Sequence, residues 1–470
     1  MLRFLSRRRR PARVSRPTTR RSVCVAEPCE PRWLLAAIAS DETLVDSVAA
    51  PGQVDAYTFT AAAGQSIYAA VSETVAGSPL TVAIELRGPT NALVDSSSSA
   101  TGTEVFAANV ALAGTYTLNV TGASSTTGSY AITLALPGTA PQAGTDAGPI
   151  ASAAYRTAGI TPGDIDVHTI AGTAGGSLLA AIGDLDPASG FDPDISIYTP
   201  AGTLINSTAT ATGTALLASN LPATGTYYVV VSDQFGNFSA TGNYGLTVAA
   251  FGGGGAQAAD GDGGPIASAA RRTGTITLGD FDVHTITGTA GGSLLAAIGD
   301  LDPGSAHDPQ MFVFSPTGAL LDSAASATGT NLLLTNLAAT GTYYVVALDQ
   351  FANEAGAYGL SVATFGGAQA VDADSGPIAS GAYHTGAIDA GDFDVHTIAG
   401  TAGGSLLATI GDANADVADP QVMFFTPSGA FLSNAVGATG TALLASNLPT
   451  TGTYYVVAID HSATRPVPTA

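Results

Sequence analysis

The chain contains no lysine and only two cysteines, and charged residues make up 11% of its 470 positions. Each scarcity closes off a class of protein. Cys24 and Cys29 both lie near the N-terminus, so the rest of the chain has no disulfide framework. No apolar run approaches the roughly 18 residues a membrane-crossing helix needs, so no transmembrane span is expected. Basic residues are scarce beyond the start: ten of the fifteen arginines lie at or before Arg32, against two acids there, Glu27 and Glu30. The remainder carries five arginines and thirty-five acids, a net of −30. A surface of that sign repels nucleic acid and anionic membrane faces, so no nucleic-acid partner is expected. A sustained 3.6-residue apolar period is also missing, which argues against long helices.

What the chain does have is repetition. "DVHTIAGTAGGSLLAAIGDLDP" begins at Asp166 and returns almost unchanged at Asp282, with a third copy starting at Asp394 and a fainter one, "DAYTFTAAAGQSIYAAV", at Asp55. The starts are 111, 116 and 112 residues apart. A period near 110 residues is the size of a domain with its own core, not of a solenoid repeat. The sequence therefore predicts four tandem units, like beads, over 41–138, 139–251, 252–367 and 368–470. Within each unit short apolar runs such as "SLLAAIG", "QMFVFSP", "NLLLTNL" and "GTYYVVALD" alternate with Gly, Pro, Asn and Asp. That pattern predicts an all-β fold of antiparallel β-sandwiches. Repeats two and three close with "GNYGLTVA" and "GAYGLSVA"; repeat four reaches "YYVVAID" and continues as "HSATRPVPTA", so it is expected to lack the last strand.

The order of motifs is informative. "GDIDVHTI" at Gly163, "GDFDVHTI" at Gly279 and Gly391, "DPDISIYTPAGTL" at Asp192, "DPQMFVFSPTGALL" at Asp308 and "DPQVMFFTPSGAFL" at Asp419 precede the "TGTYYVV" and "GxYGLxV" strands. Together they resemble tandem bacterial pre-peptidase C-terminal domains, a jelly-roll-like β-sandwich of secreted proteins. The resemblance implies roles beside secreted peptidases, in secretion or in binding insoluble protein or polysaccharide, sometimes with calcium. Departures exist: Tyr57 stands where the other repeats have His168, His284 and His396, and Gln53 where they have Asp164, Asp280 and Asp392. The first forty residues read as an export leader, with "RRRRPARVSRPTTRRSV" as its basic region and "WLLAAIAS" as its apolar one. "AEPCEPRWLLAA" is similar to the LEPR-type leader of planctomycete exported proteins, with Cys29 where that pattern has Leu. The expected location is secreted or at the cell surface.

Three kinds of chemistry are weighed on these residues. "GTAGGS" lacks the lysine and the following helix of a phosphate loop and reads as a turn. His168 and its copies lie two residues after an Asp on one strand face, yet no "GxSxG" elbow accompanies them, so the pair reads as a half-buried ring bonded to its neighbour. The aspartates carry the functional expectation. Asp184, Asp186 and Asp194, with Asp192, recur as Asp300, Asp302 and Asp308. Asp233 with Asn237 recurs as Asp349 with Asn353, and Asp260 and Asp262 recur as Asp372 and Asp374 between repeats. Carboxylates two apart beside glycine suit calcium, which takes six to eight oxygens; turn formation is the alternative reading. No catalytic residues are assigned. The functions considered are a non-enzymatic surface array, stiffened at its glycine-rich linkers by calcium; a module that grips extracellular polysaccharide or protein through tyrosines such as Tyr227, Tyr343 and Tyr454; and the accessory part of a secreted peptidase.

Overall fold

The computed structural model describes residues 33–141, 146–234, 238–253, 255–258, 261–302, 304–371, 374–413 and 419–461. These residues form four β-sandwiches in chain order; the only helical element among them is a 3-10 turn, Ala123–Ser125. The third sandwich shows the plan. Its five-stranded sheet runs, edge to edge, Gly264–Pro265, Phe281–Gly288, Gly341–Asp349, Pro309–Phe314 and Leu320–Ala325. Its four-stranded sheet runs Ala270–Ile276, Gly356–Thr364, Leu294–Asp300 and Gly329–Leu334. All pairings are antiparallel except that of the short Gly264–Pro265 edge, where Gly264 sits beside His284. The first and second sandwiches repeat both sheet orders. In the first, the parallel edge is Trp33–Ala37, from the apolar part of the expected leader, paired with Val54–Thr58. The basic part of that leader lies outside the described residues.

Each sandwich has its own apolar interior. In the third, Ile276, Ile286, Ile298, Met311, Val313, Tyr343, Val345, Leu360 and Val362 meet between the two sheets. They come from alternate positions of their strands, as the two-residue side-chain period requires.

A second set of apolar clusters lies between sandwiches. Leu179, Ala181, Ala249 and Phe251, on the four-stranded sheet of the second sandwich, pack on Phe281, Val283, Phe314, Tyr344 and Val346, on the five-stranded sheet of the third. Leu295, Ala297, Ala363 and Phe365 meet Phe393, Val395, Met423, Phe425 and Tyr455 of the fourth in the same way. Tyr68, Ala70 and Ala135 of the first meet Val167, Tyr198, Tyr228 and Val230 of the second. The sheets therefore form one continuous stack. This is why Ser177–Asp184 and Leu294–Asp300 are buried along their whole length: one face lines the sandwich interior and the other meets the next sandwich. The linkers hug this stack. Ala258 N donates to Ser152 O at 2.6 Å and Ser152 Oγ to Gln257 Oε1 at 2.7 Å, and Ala370, Ser268 and Gln369 repeat both bonds.

The stack has two unlike ends. On the outer sheet of the first sandwich, Glu85, Arg87, Thr117 and Asn119 stand where the second has Ser196, Tyr198, Tyr228 and Val230, so that face is largely polar. At the other end, the second sheet of the fourth sandwich has two strands, Ser405–Gly411 and Gly440–Ser446, among the described residues.

Candidate functional site: the junctions between sandwiches

The geometry that recurs most faithfully along the chain is the junction. Its polar clasp is built by the "GD" that opens each unit. Asp280 Oδ1 accepts the Thr247 hydroxyl of the preceding sandwich at 3.0 Å, Asp392 Oδ1 that of Ser361 at 2.9 Å, and Asp164 Oδ1 that of Thr43 at 2.9 Å. The glycine before each aspartate is required for two reasons. Gly163, Gly279 and Gly391 have φ of 75, 73 and 71°, in the left-handed region. A Cβ on Gly279 would also strike Gly245 O and Gly183 N of the preceding sandwich, and one on Gly391 would strike Gly359 O and Gly299 N. Backbone meets backbone there, so the glycines of "AAIGD" and "YGL" face the glycine of "GDFD" across the junction. Around this contact, Phe251 stacks on Phe314 at 4.0 Å between centroids and Phe365 on Phe425 at 3.7 Å. Aromatic pairs of this kind add about 0.5–1.5 kcal/mol beyond their buried area.

The first junction differs in charge. Asp194 faces Glu104 of the first sandwich; burial and then that neighbour push Asp194 up to about 6, and Glu104 is raised as well, chiefly by burial. At the next two junctions the Asp194 position is Gln310 and Gln421. Asp41 of the first sandwich accepts Val167 N at 2.8 Å, and burial raises it to about 7.

A second recurrent group lies inside the sandwiches. The Tyr244 hydroxyl donates to Asp166 Oδ2 at 2.5 Å and lies 2.8 Å from His168 Nε2; Tyr358 does the same to Asp282 at 2.7 Å, with His284 Nε2 at 2.9 Å. With the carboxylate ionised the phenol donates to it and the imidazole Nε2–H donates to the phenol oxygen; with the carboxyl protonated both bonds can reverse. Burial, then Arg156, holds His168 down to about 3, so the ring is neutral; burial, then Asp164, pushes Asp166 up to about 8. The first sandwich makes the same link with Tyr57, whose hydroxyl is 2.6 Å from that of Tyr130, itself bonded to Asp55 at 2.8 Å. The network ties the two sheets of each of the first three sandwiches together. It is closed to solvent, since Asp166 is buried and His168 and Tyr244 fully so, which suits a staple better than an acid–base site. The ring was expected half-buried; it is fully buried, and its partner is a tyrosine of the opposite sheet 76 residues on.

Several of the aspartates expected to take calcium accept backbone N–H groups. Asp184 Oδ1 accepts Asp186 N, and Asp300 Oδ1 accepts Asp302 N, both at 2.8 Å, while Asp186 and Asp302 themselves face solvent. Asp308 N donates to Asp349 Oδ1, and Asp192 N to Asp233 Oδ1, both at 2.9 Å. Asp194 lies at the first junction, as above. Asp262 Oδ2 accepts both Thr275 N and the Thr275 hydroxyl at 2.9 Å, and Asp374 Oδ2 accepts Ala387 N at 2.8 Å. Asp260, Asp372 and Asn237 lie outside the described residues. Among the described residues, no three His, Cys, Asp or Glu side chains gather as a metal cluster.

Tyr227, Tyr343 and Tyr454, expected as exposed gripping rings, are 0, 1 and 0% exposed. Their hydroxyls donate to Ala223 O, Ala339 O and Thr450 O at 2.6–2.7 Å, closing the turn that leads into their strand. The next residues, Tyr228, Tyr344 and Tyr455, point the other way and fill the junctions. The junction residues were missed in the sequence, yet a signal was there. "SLLAAIG" does not alternate, and a short apolar run without alternation marks a strand buried on both faces.

No family model matches the chain, and no curated protein matches it. Among solved structures, the chain is similar to the pre-peptidase C-terminal domain of a collagenase from Bacillus anthracis, at 16% identity over 22% of this chain and 98% of that one, with a TM-score of 0.19. It is also similar to PliG, a periplasmic inhibitor of g-type lysozyme from Aeromonas hydrophila, at 19% identity over 22% of this chain and 96% of that one, TM-score 0.18. A triple jelly-roll protein of an archaeal virus matches 70% of this chain and 89% of its own at 10% identity, TM-score 0.21. Among the described residues no helix is long and apolar enough to cross a membrane.

Proposed function

We propose that the chain is an exported, non-enzymatic array of pre-peptidase-C-terminal-like modules, over 41–138, 139–251, 252–367 and 368–470, that acts as a stiff spacer at the cell surface or in the matrix. One observation carries this reading: the second and third junctions repeat the same apolar contact and the same glycine–aspartate clasp, and the first keeps the glycine and the aspartate, so what the duplications preserve is the geometry of stacking. The aspartate–tyrosine–histidine groups are buried staples, and the tyrosines first considered for ligand contact are in the interior. The arginine-rich start followed by an acidic remainder supports export, and the motif order supports the module type.

The test is co-sedimentation of the purified chain with cellulose, chitin, alginate and collagen, combined with small-angle scattering. The spacer reading expects the chain to stay in the supernatant with all four and to scatter as one elongated particle whose dimensions do not change with salt. Retention by any of the four would instead assign the chain to the binding modules for polysaccharide or protein.

A further inference from the structure

The three junctions share a plan, but the first is built from different side chains. Strand register fixes the correspondence. Tyr68 stands where the next two junctions have Leu179 and Leu295, and Glu104 where they have Ala215 and Asn331. Asp194 stands where they have Gln310 and Gln421, and Ser232 where they have Leu348 and Ile459. Asp41 takes the place of Ala153 and Ala269: all three have a left-handed φ, of 65, 62 and 64°, and each donates its N–H to the last strand of its sandwich. The Phe251–Phe314 and Phe365–Phe425 stacks have no counterpart, because Pro137 and Tyr198 hold those positions. The polar groups meet across the contact. The Tyr68 hydroxyl lies 3.0 Å from Ser232 Oγ and also bonds Glu104, which faces Asp194. Asp41 Oδ1 accepts Val167 N at 2.8 Å, while Asp41 Oδ2 is buried with no hydrogen-bond partner. The charged groups acting on these three carboxyls are themselves acids: Asp95 beside Glu104, Glu104 beside Asp194, and Asp164 and Asp146 beside Asp41. The neighbours of Asp194 are Glu104 and Ser196, not the acids of the Asp184–Asp186 turn, so it belongs to the junction.

We propose that the first junction is an acid-closed hinge: it holds while Asp41, Glu104 and Asp194 keep their protons and frees the first sandwich from the stack when they ionise, whereas the second and third junctions stay shut. A carboxylate in such an interface loses water and gains a like charge as its neighbour, and separating the two sheets restores the water. Burial raises all three groups, Asp41 to about 7 and Asp194, with Glu104 beside it, to about 6. Raised values set the sign. Their support for the closed junction is complete below the ordinary values of 3.8 and 4.5 and is lost as pH rises through about 6 and about 7. The other two junctions have alanine, asparagine and glutamine at these positions, so the same change of pH leaves them without a new charge there. The hinge rests on the stacked-array reading and adds one point at which the array bends.

The experiment uses the full chain, with Cys24 and Cys29 changed to Ser, and two pairs of spin labels at equivalent exposed sites: Ser96 with Ser207 across the first junction, and Ser207 with Ser323 across the second. At about pH 5 both distances should be narrow. At about pH 8 the Ser96–Ser207 distance should broaden, the ratio of open to closed rising on the order of a hundredfold, while Ser207–Ser323 stays narrow. Asp41→Ala, Glu104→Ala and Asp194→Gln together write the second junction into the first and should keep Ser96–Ser207 narrow at both pH values. That variant leaves Asp166 and Asp233, inside the second sandwich, free to titrate. The proposal is overturned if Ser96–Ser207 stays narrow in the parent at about pH 8, or if the triple variant broadens as the parent does, since the cause then lies within the second sandwich. A Ser207–Ser323 distance already broad at about pH 5 would sink the stacked array, and the hinge with it.

Discussion

The third and fourth sandwiches contain nearly the same strand, "SLLAAIGD" from Ser293 and "SLLATIGD" from Ser405, in two different settings. Leu295 is 0% exposed and its counterpart Leu407 is 67% exposed. Ile298 is fully buried and Ile410 is half-exposed. The side chains are almost the same, so the difference comes from neighbours. The third has a closing strand beside it and the fourth sandwich above it; the described residues give the fourth neither. A strand in this protein is therefore half of a contact, and its burial is decided by what the next unit brings.

The largest expected effect comes from breaking that contact where it exists. Leu295→Ala removes side-chain atoms from the junction with Phe393 and Phe425 and should cost about 2–5 kcal/mol in urea denaturation, while Leu407→Ala at the open face should cost under about 0.5 kcal/mol. Equal losses at the two sites would erase the comparison.

Somewhat smaller is the effect of the internal staple. Tyr358→Phe leaves the buried Asp282 and His284 without the hydroxyl that joins them and should cost about 1–3 kcal/mol, with faster hydrogen exchange across both sheets of the third sandwich. A variant as stable as the parent would mean that the two sheets hold without the bond.

A pH comparison sharpens the difference between the second and third sandwiches. Asp233 and Asp349 hold the same position, but the first lies near Phe191 and the second near His307, whose Nδ1 is 3.4 Å from Asp349 Oδ1. Burial pushes Asp233 up to about 7, from an ordinary value of 3.8. Burial would also raise Asp349, but His307 and the surrounding amides outweigh it and hold that carboxyl below its ordinary value. The signs are opposite. Asp233 contributes stability that is complete below about pH 3.8 and is lost as pH rises through about 7. Asp349 contributes stability that is present above the ordinary value and is lost as pH falls below it. Exchange at 226–233 should therefore quicken toward neutral pH, and exchange at 342–349 toward acid. His307→Phe should give the third sandwich the pH response of the second; an unchanged response would remove His307 as the cause.

The smallest expected effect concerns the aspartates between units. Asp262→Asn weakens a clasp on Thr275 that is partly exposed, so a loss of about 0.5–1 kcal/mol is expected. If the pairs Asp260–Asp262 and Asp372–Asp374 also take calcium, melting should rise in millimolar calcium beyond sodium at matched ionic strength, and Asp262→Asn should blunt that rise. Identical melts in both salts would leave these aspartates as clasps alone.

The repeats, the strand content and the sandwich class were legible because they are local: turn residues, short apolar runs and the period of the text suffice. The stack was not, because it depends on which face of a strand meets which neighbour. "GDFD" was visible as a motif, but the need for Gly279 appears only when Gly245 and Gly183 of another sandwich stand against it. In "TYYVV" the two tyrosines point to opposite sheet faces. Without the structure nothing says that Tyr343 closes a turn inside one sandwich while Tyr344 fills the space between two. The partner of His284 lies 74 residues away in sequence, beyond any local pattern.

The central claim is that apolar junctions, and not linkers, fix the units relative to one another. The direct measurement places spin labels at Ser207 and Ser323, equivalent exposed sites on the second and third sandwiches, after Cys24 and Cys29 are changed to Ser, and records the distance between them. The stack predicts a single narrow distribution that stays the same from low to high salt. A broad distribution that contracts as salt screens the acidic surface would contradict it.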